Sequence, residues 1–167
     1  STLTTSGANS PTTGSHGLKA KGADSQISAS QISVSTKGTQ ANAARAENGA
    51  RIDLDAATLD TGSAVYGHGL LATGNNSQIS LNNGSVTTAG KGAVGAWARD
   101  GARIQLGQGT QISTSGASIN NASAPQDEKT LSISHGLLAS GSGSRIDAAD
   151  VTVRSSAVSA SGARAEA

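Results

Sequence analysis

The sequence predicts an all-β protein, a right-handed parallel β-helix of the solenoid type with three short strands in each coil of about 26 residues, from three observations. The first is a repeated unit of a small residue, an apolar residue, any residue and Ala. It recurs as Gly17-Leu18-Lys19-Ala20, Ala43-Ala44-Arg45-Ala46, Gly69-Leu70-Leu71-Ala72, Gly95-Ala96-Trp97-Ala98, Gly136-Leu137-Leu138-Ala139 and Gly162-Ala163-Arg164-Ala165, evenly spaced but for one long step after Gly95. A fixed period of this size marks a solenoid, whose repeats bury their apolar faces only by stacking on neighbours. The second is that apolar residues alternate with period two inside each unit, the strand period, and no stretch carries the helical one. The third is punctuation by Gly22, Asn48-Gly49, Gly74-Asn75-Asn76, Asp100-Gly101 and Gly141, residues that supply turns between strands.

Taken in order, residues 1–167 read as one β-helix fragment of about six coils. Leu3-Thr4-Thr5-Ser6-Gly7 echoes Val86-Thr87-Thr88-Ala89-Gly90, so the chain is expected to begin part-way through a coil. Regular coils follow from Gly17. The excess of the single long step, between Gly95 and Gly136, falls in Ser115 to Thr130 (SGASINNASAPQDEKT). That segment, residues 115–130, reads as a loop ejected from one corner of the stack. Gly136 restarts the pattern, and Gly162 opens a coil that the chain leaves unfinished. Equivalent strands should pair in parallel about 4.8 Å apart, giving a rod about 25–30 Å long. Uncapped strand edges suggest that the natural protein is longer than this piece.

Alternation assigns the interior. On the first strand Leu18, Ala44, Leu70, Ala96, Leu137 and Ala163 point inward, followed by Ala20, Ala46, Ala72, Ala98, Ala139 and Ala165. On the second strand the inward column is Ile27, Ile52, Ile79, Ile104 and Ile146, then Ala29, Leu54, Leu81, Leu106 and Ala148. Leu18 goes with Ala29, Ala44 with Leu54, Ala96 with Leu106 and Leu137 with Ala148. Trading one Leu for one Ala at constant volume is what a close-packed interior of constant cross-section demands. The third strand is read as Ile32, Leu59, Val86, Ile112 and Val151, with Val34, Thr61, Thr88, Thr114 and Val153 behind them.

Composition narrows the function. Apolar residues make up 35%, with no Phe, Met or Cys, and Trp97 and Tyr66 are the only aromatics, so the core is thin and aliphatic. A net charge of +1 from scattered charges offers no basic stripe for nucleic acid. No run is long enough for a membrane span, and the first residues lack a signal-peptide pattern, so the chain reads as a soluble mature or excised piece with no direct membrane insertion of its own.

The unit HGLLATG (68–74) followed by SQISLNNGSVTTAGKGAVG (77–95) resembles the passenger domains of Gram-negative autotransporters, the pertactin-like group that includes self-associating adhesins. The resemblance implies a right-handed parallel β-helix, exported by a C-terminal barrel not in this sequence and displayed on the bacterial outer membrane. It also implies a role in adhesion, self-association and virulence, with a host-surface ligand or another copy of the chain as partner. Arg99-Asp100-Gly101 holds the residues of an Arg-Gly-Asp tripeptide in another order and fills the turn used by Asn48-Gly49. A segment of a carbohydrate-active β-helix enzyme, with its catalytic coils elsewhere, is the alternative; a trimeric phage or viral fibre is a third.

No side-chain set converges into a catalytic, cofactor or metal site. His16, His68 and His135 share one column on alternate coils, about 9.6 Å apart, too far for two ligands of one zinc. They read as corner histidines satisfying backbone groups. Asp53 and Asp147 stand three coils apart, about 14 Å, beyond the roughly 5–9.5 Å of glycosidase carboxylate pairs, and read as partners of Arg51 and Arg145. An outward Ser/Thr/Asp series, Ser33, Asp60, Thr87, Ser113 and Thr152, is too irregular for an ice-binding face. The one candidate contact patch is Leu71, Trp97 and Leu138, outward on three successive first strands where neighbouring coils place Lys19, Arg45 and Arg164, with Arg99 as its polar rim. As an exposed anchor, Trp97 would contribute to binding and little to fold stability. The competing reading has the 115–130 segment or a neighbouring segment folded over these residues.

Overall fold

The computed structural model describes residues 1–5, 15–117, 119, 134–157 and 160–166. Among these residues every strand is parallel to its neighbours and there is no helix, and three sheets wind into a β-solenoid of about five turns. The first sheet stacks Leu18–Lys21, Ala44–Glu47, Leu70–Thr73, Ala96–Arg99, Leu137–Ser140 and Ala163–Glu166. The second stacks Gln26–Ser30, Arg51–Asp55, Gln78–Asn82, Arg103–Leu106 and Arg145–Ala148. The third stacks Thr2–Thr5, Ser33–Thr36, Thr58–Asp60, Ser85–Thr88, Gln111–Thr114 and Thr152–Ser155.

Register on the first two sheets follows the repeat. Leu18, Ala44, Leu70, Ala96, Leu137 and Ala163 form one column, and Ile27, Ile52, Ile79, Ile104 and Ile146 another. Both line the core up to the end coils, where Ala163 is exposed, with Ile52, Leu70, Ile79 and Ile104 at most 1% exposed. The register survives the long step, since Ala96 pairs with Leu137 across it. Ser115 and Ala117 still stack, through Ser115 N–H to the Thr88 carbonyl at 2.9 Å and Gly92 N–H to the Ala117 carbonyl at 3.2 Å. The rest of the loop expected over 115–130, apart from Gly116 and Ile119, lies outside the described residues.

The third sheet corrects the sequence reading at both ends. Val34, not Ile32, aligns with Leu59, and Val153, not Val151, aligns with Ile112. Ile32 and Val34, like Val151 and Val153, lie two residues apart on one face, and period two fixes a face without fixing which of two apolar residues pairs. The column behind is therefore Thr5, Thr36, Thr61, Thr88, Thr114 and Ser155, a row of hydroxyls at one corner, of which Thr36, Thr61, Thr88 and Thr114 are buried.

The corrected register exposes a steric rule. A Cβ added at Gly17, Gly69, Gly95 or Gly136 would lie 2.2, 2.1, 2.4 or 2.4 Å from a γ-methyl of Val34, Val86, Ile112 or Val153, and within 2.7 Å of the next coil's carbonyl oxygen. In the coil where Ala43 stands instead, the third-strand residue is Leu59, which has no branch at Cβ. Each of these coils thus carries either Gly with a β-branched partner or Ala with Leu. Gly69→Ala should cost about 1–3 kcal/mol through overpacking, and Val86→Leu in the same chain should restore part of it. Equilibrium urea unfolding of both single variants and the double variant checks this; strictly additive losses would contradict the rule.

Candidate functional site

Each sheet presents one outer face, and the sheets differ in what they show. On the first sheet Leu71, Trp97 and Leu138 occupy one row on adjacent strands, as the sequence places them. They are not open to solvent. Leu71 is 1%, Trp97 3% and Leu138 0% exposed, and with Val94 they form a second apolar cluster separate from the solenoid core. The expectation of an exposed contact patch is corrected accordingly: alternation decides which way a side chain leaves the strand, but not what else packs there.

The cluster is closed by polar edges. Trp97 Nε1 donates to Ser140 Oγ at 2.8 Å, tying the strand before the long step to the strand after it. The His68 ring meets the indole edge-on, with centroids 5.0 Å apart and planes at 75°. Arg99, expected as a rim, lies with its guanidinium carbon 4.9 Å from the indole centroid, a cation–π contact. Its Nε donates to Thr73 Oγ1 at 3.1 Å and lies 3.3 Å from Asp100 Oδ2. Chemically the arrangement is a packing site.

The second sheet carries a ladder of charge and amide groups. Asp53 accepts from Arg51 Nε at 2.6 Å, from Ser80 Oγ at 2.6 Å and from Gln26 Nε2 at 3.2 Å. The Arg51 hydrogen bond is the main cause that holds this carboxyl below the usual carboxylate range, against partial desolvation and with help from Ser80 and Gln26. Asp147 accepts from Arg145 and lies 2.7 Å from Arg103 Nη2; burial opposes its ionisation, and these two cations together hold its pKa low. Both aspartates are thus engaged in ion pairs and sit in the column Ser28, Asp53, Ser80, Gln105 and Asp147 that the repeat predicts. Among the described residues no group of three or more His, Cys, Asp or Glu could hold a metal ion.

The third sheet is the face that sequence reasoning misaligned. Its outward rows are Thr2, Ser33, Thr58, Ser85, Gln111, Thr152 and Thr4, Ser35, Asp60, Thr87, Ser113, Arg154. Asp60 therefore has Ser35 and Thr87 beside it, not Ser33 and Thr87. All but Gln111, Asp60 and Arg154 bear hydroxyls, and every one is exposed or half-buried. Rows follow the strand spacing of about 4.8 Å, and the two columns stand about 7 Å apart. A signal for this register was present: Val34, Val86 and Val153 stand at one and the same distance ahead of Ala43, Gly95 and Gly162, the first residues of the following units.

At the corner ahead of the first sheet, the histidines accept hydrogen bonds from backbone groups. His16, His68 and His135 each use Nδ1 to accept the N–H of the residue one coil on, Asn42, Val94 and Ser161.

Fold and faces together define a parallel β-solenoid with a thin aliphatic core, one polar ladder, one hydroxyl lattice and one capped apolar cluster. Compared with protein-family models, curated proteins and solved structures, the chain finds no match.

Proposed function

We propose that this chain is a segment of a non-catalytic, surface-displayed bacterial β-helix that works by self-association or by adhesion to a host ligand. The observation that carries this reading is the outer lattice of the third sheet. It is nearly uncharged, with Asp60 and Arg154 its only ionised groups among the described residues, and it runs over six strands, about 24 Å. A hydroxyl both donates and accepts, so such a face is complementary to a second copy of itself in either direction along the rod. Many weak contacts repeated along a rigid body then add without any one being strong. The resemblance of residues 68–95 to autotransporter passengers supports display at the cell surface.

Thr87, exposed at the middle of the lattice, tests it. In an isologous contact centred here a Thr87→Asp change sets a second carboxylate beside Asp60 on both partners, and juxtaposed like charges cost several kcal/mol. Self-association measured by sedimentation should weaken at least about tenfold, with the circular dichroism unchanged because the side chain points outward. Association that persists undiminished in the variant would remove this face from the interface. A parent chain that stays monomeric and binds no host-cell surface would sink the reading as a whole.

A further inference from the structure

The corner ahead of the first sheet joins coils through side chains. His16 Nδ1 accepts the Asn42 N–H at 3.1 Å, His68 Nδ1 the Val94 N–H at 2.9 Å, and His135 Nδ1 the Ser161 N–H at 3.1 Å. Between the first two, Asn42 makes the same joint with Oδ1, accepting the His68 N–H at 2.9 Å. A ring nitrogen accepts only while unprotonated. Adding a proton to Nδ1 turns the acceptor into a donor that faces an N–H, and the joint is lost.

We propose that this corner is an acid-released latch: neutral His16 and His135 hold successive coils together, and protonating them loosens the solenoid at that corner. Around His16, Arg45, Lys19 and His68 disfavour the imidazolium and Glu47 favours it. Around His135, Arg164 disfavours it and Glu166 favours it. Burial is the largest influence on both, and the net effect of burial and these charges lowers His16 from 6.5 to about 4 and His135 in the same direction. The sign follows from proton binding. Between 6.5 and about 4 the unfolded chain takes up a proton at His16 that the folded chain refuses, so stability falls as pH falls through that window. Glu47 does not cancel this, because Arg45 and Lys19 already pair with it. The latch concerns the fold of the rod and stands whether or not the third-sheet lattice self-associates.

Asn42 shows which substitution keeps the joint and removes the titration. The His16→Asn, His135→Asn double variant should match the parent's far-ultraviolet circular dichroism at neutral pH. On acidification to about pH 4.5, inside the window in which His16 binds its proton in the unfolded but not in the folded chain, the parent's melting temperature should fall more steeply than the variant's. Parallel curves would overturn the latch. An NMR titration of the histidine rings in the unmutated chain decides the matter independently of the variant's folding. His16 should keep an unprotonated Nδ1 well below pH 6.5 and charge only near pH 4; charging at its ordinary value would overturn the proposal.

Discussion

Ile79→Asp should unfold several coils at once. Ile79 is 1% exposed and sits between Ile52 and Ile104 in the central column of the second sheet. Replacing it removes a buried aliphatic side chain, a loss of about 2–5 kcal/mol for truncation alone, and adds a carboxylate with no partner in a core of Ala, Leu, Ile and Val. The combined cost exceeds about 5 kcal/mol, comparable to the whole stability of an ordinary domain. In a solenoid each coil is held by its neighbours, so a coil that opens in the middle removes one stacking face from the coils on both sides. Circular dichroism should show loss of strand signal at ambient temperature. A variant that keeps both signal and melting point would mean that the core can admit a charge, against the packing described for this column.

Trp97→Ala should cost about 3–5 kcal/mol of stability, the range for removing a buried large aromatic. The indole is 3% exposed, packed with Leu71, Val94 and Leu138, edge-on to His68 and hydrogen-bonded to Ser140. At about 2–4 °C per kcal/mol for a chain of this length, the melting temperature should fall on the order of 10 °C. Trp97→Phe keeps most of the apolar contact and loses the Nε1 donor, so it should fall between parent and Ala variant. Because Trp97 is the only tryptophan, the parent's emission reports on the cluster directly and should be blue-shifted in the folded state. An unchanged melting temperature with impaired association would restore Trp97 as a surface anchor.

These two positions differ in how far the amino-acid sequence reaches. Repetition alone assigns Ile79 to the core: Ile recurs at 27, 52, 79, 104 and 146, and parallel stacking converts recurrence at equivalent places in the coil into vertical contact. For Trp97 the sequence specifies the face and the row, which the structure shares, but not the environment. Burial on an outer face depends on groups far along the chain, and Ser140, which lies beyond the long step, is one of them. The histidine column was legible as a corner feature because it repeats, and its backbone partners followed from the stacking of one coil on the next.

The amino-acid sequence by itself determined the solenoid, its period, the strands of the first two sheets and the inward residues, because each depends on local alternation and on a repeat that stacking turns into contact. Tertiary structure decided three things that alternation leaves degenerate. It chose Val34 over Ile32 and Val153 over Val151 as the third-sheet partners, since each such pair satisfies the same face and alternation does not select between its members, although the equal distance of Val34, Val86 and Val153 from the next unit carries a signal for it. It set Gly against β-branched residues across the coil, Gly17 against Val34 and Gly69 against Val86, contacts between the first and third strands that no strand period relates. It closed the outer face over Leu71, Trp97 and Leu138, because burial is a property of all the chain that approaches a residue and not of the strand that carries it.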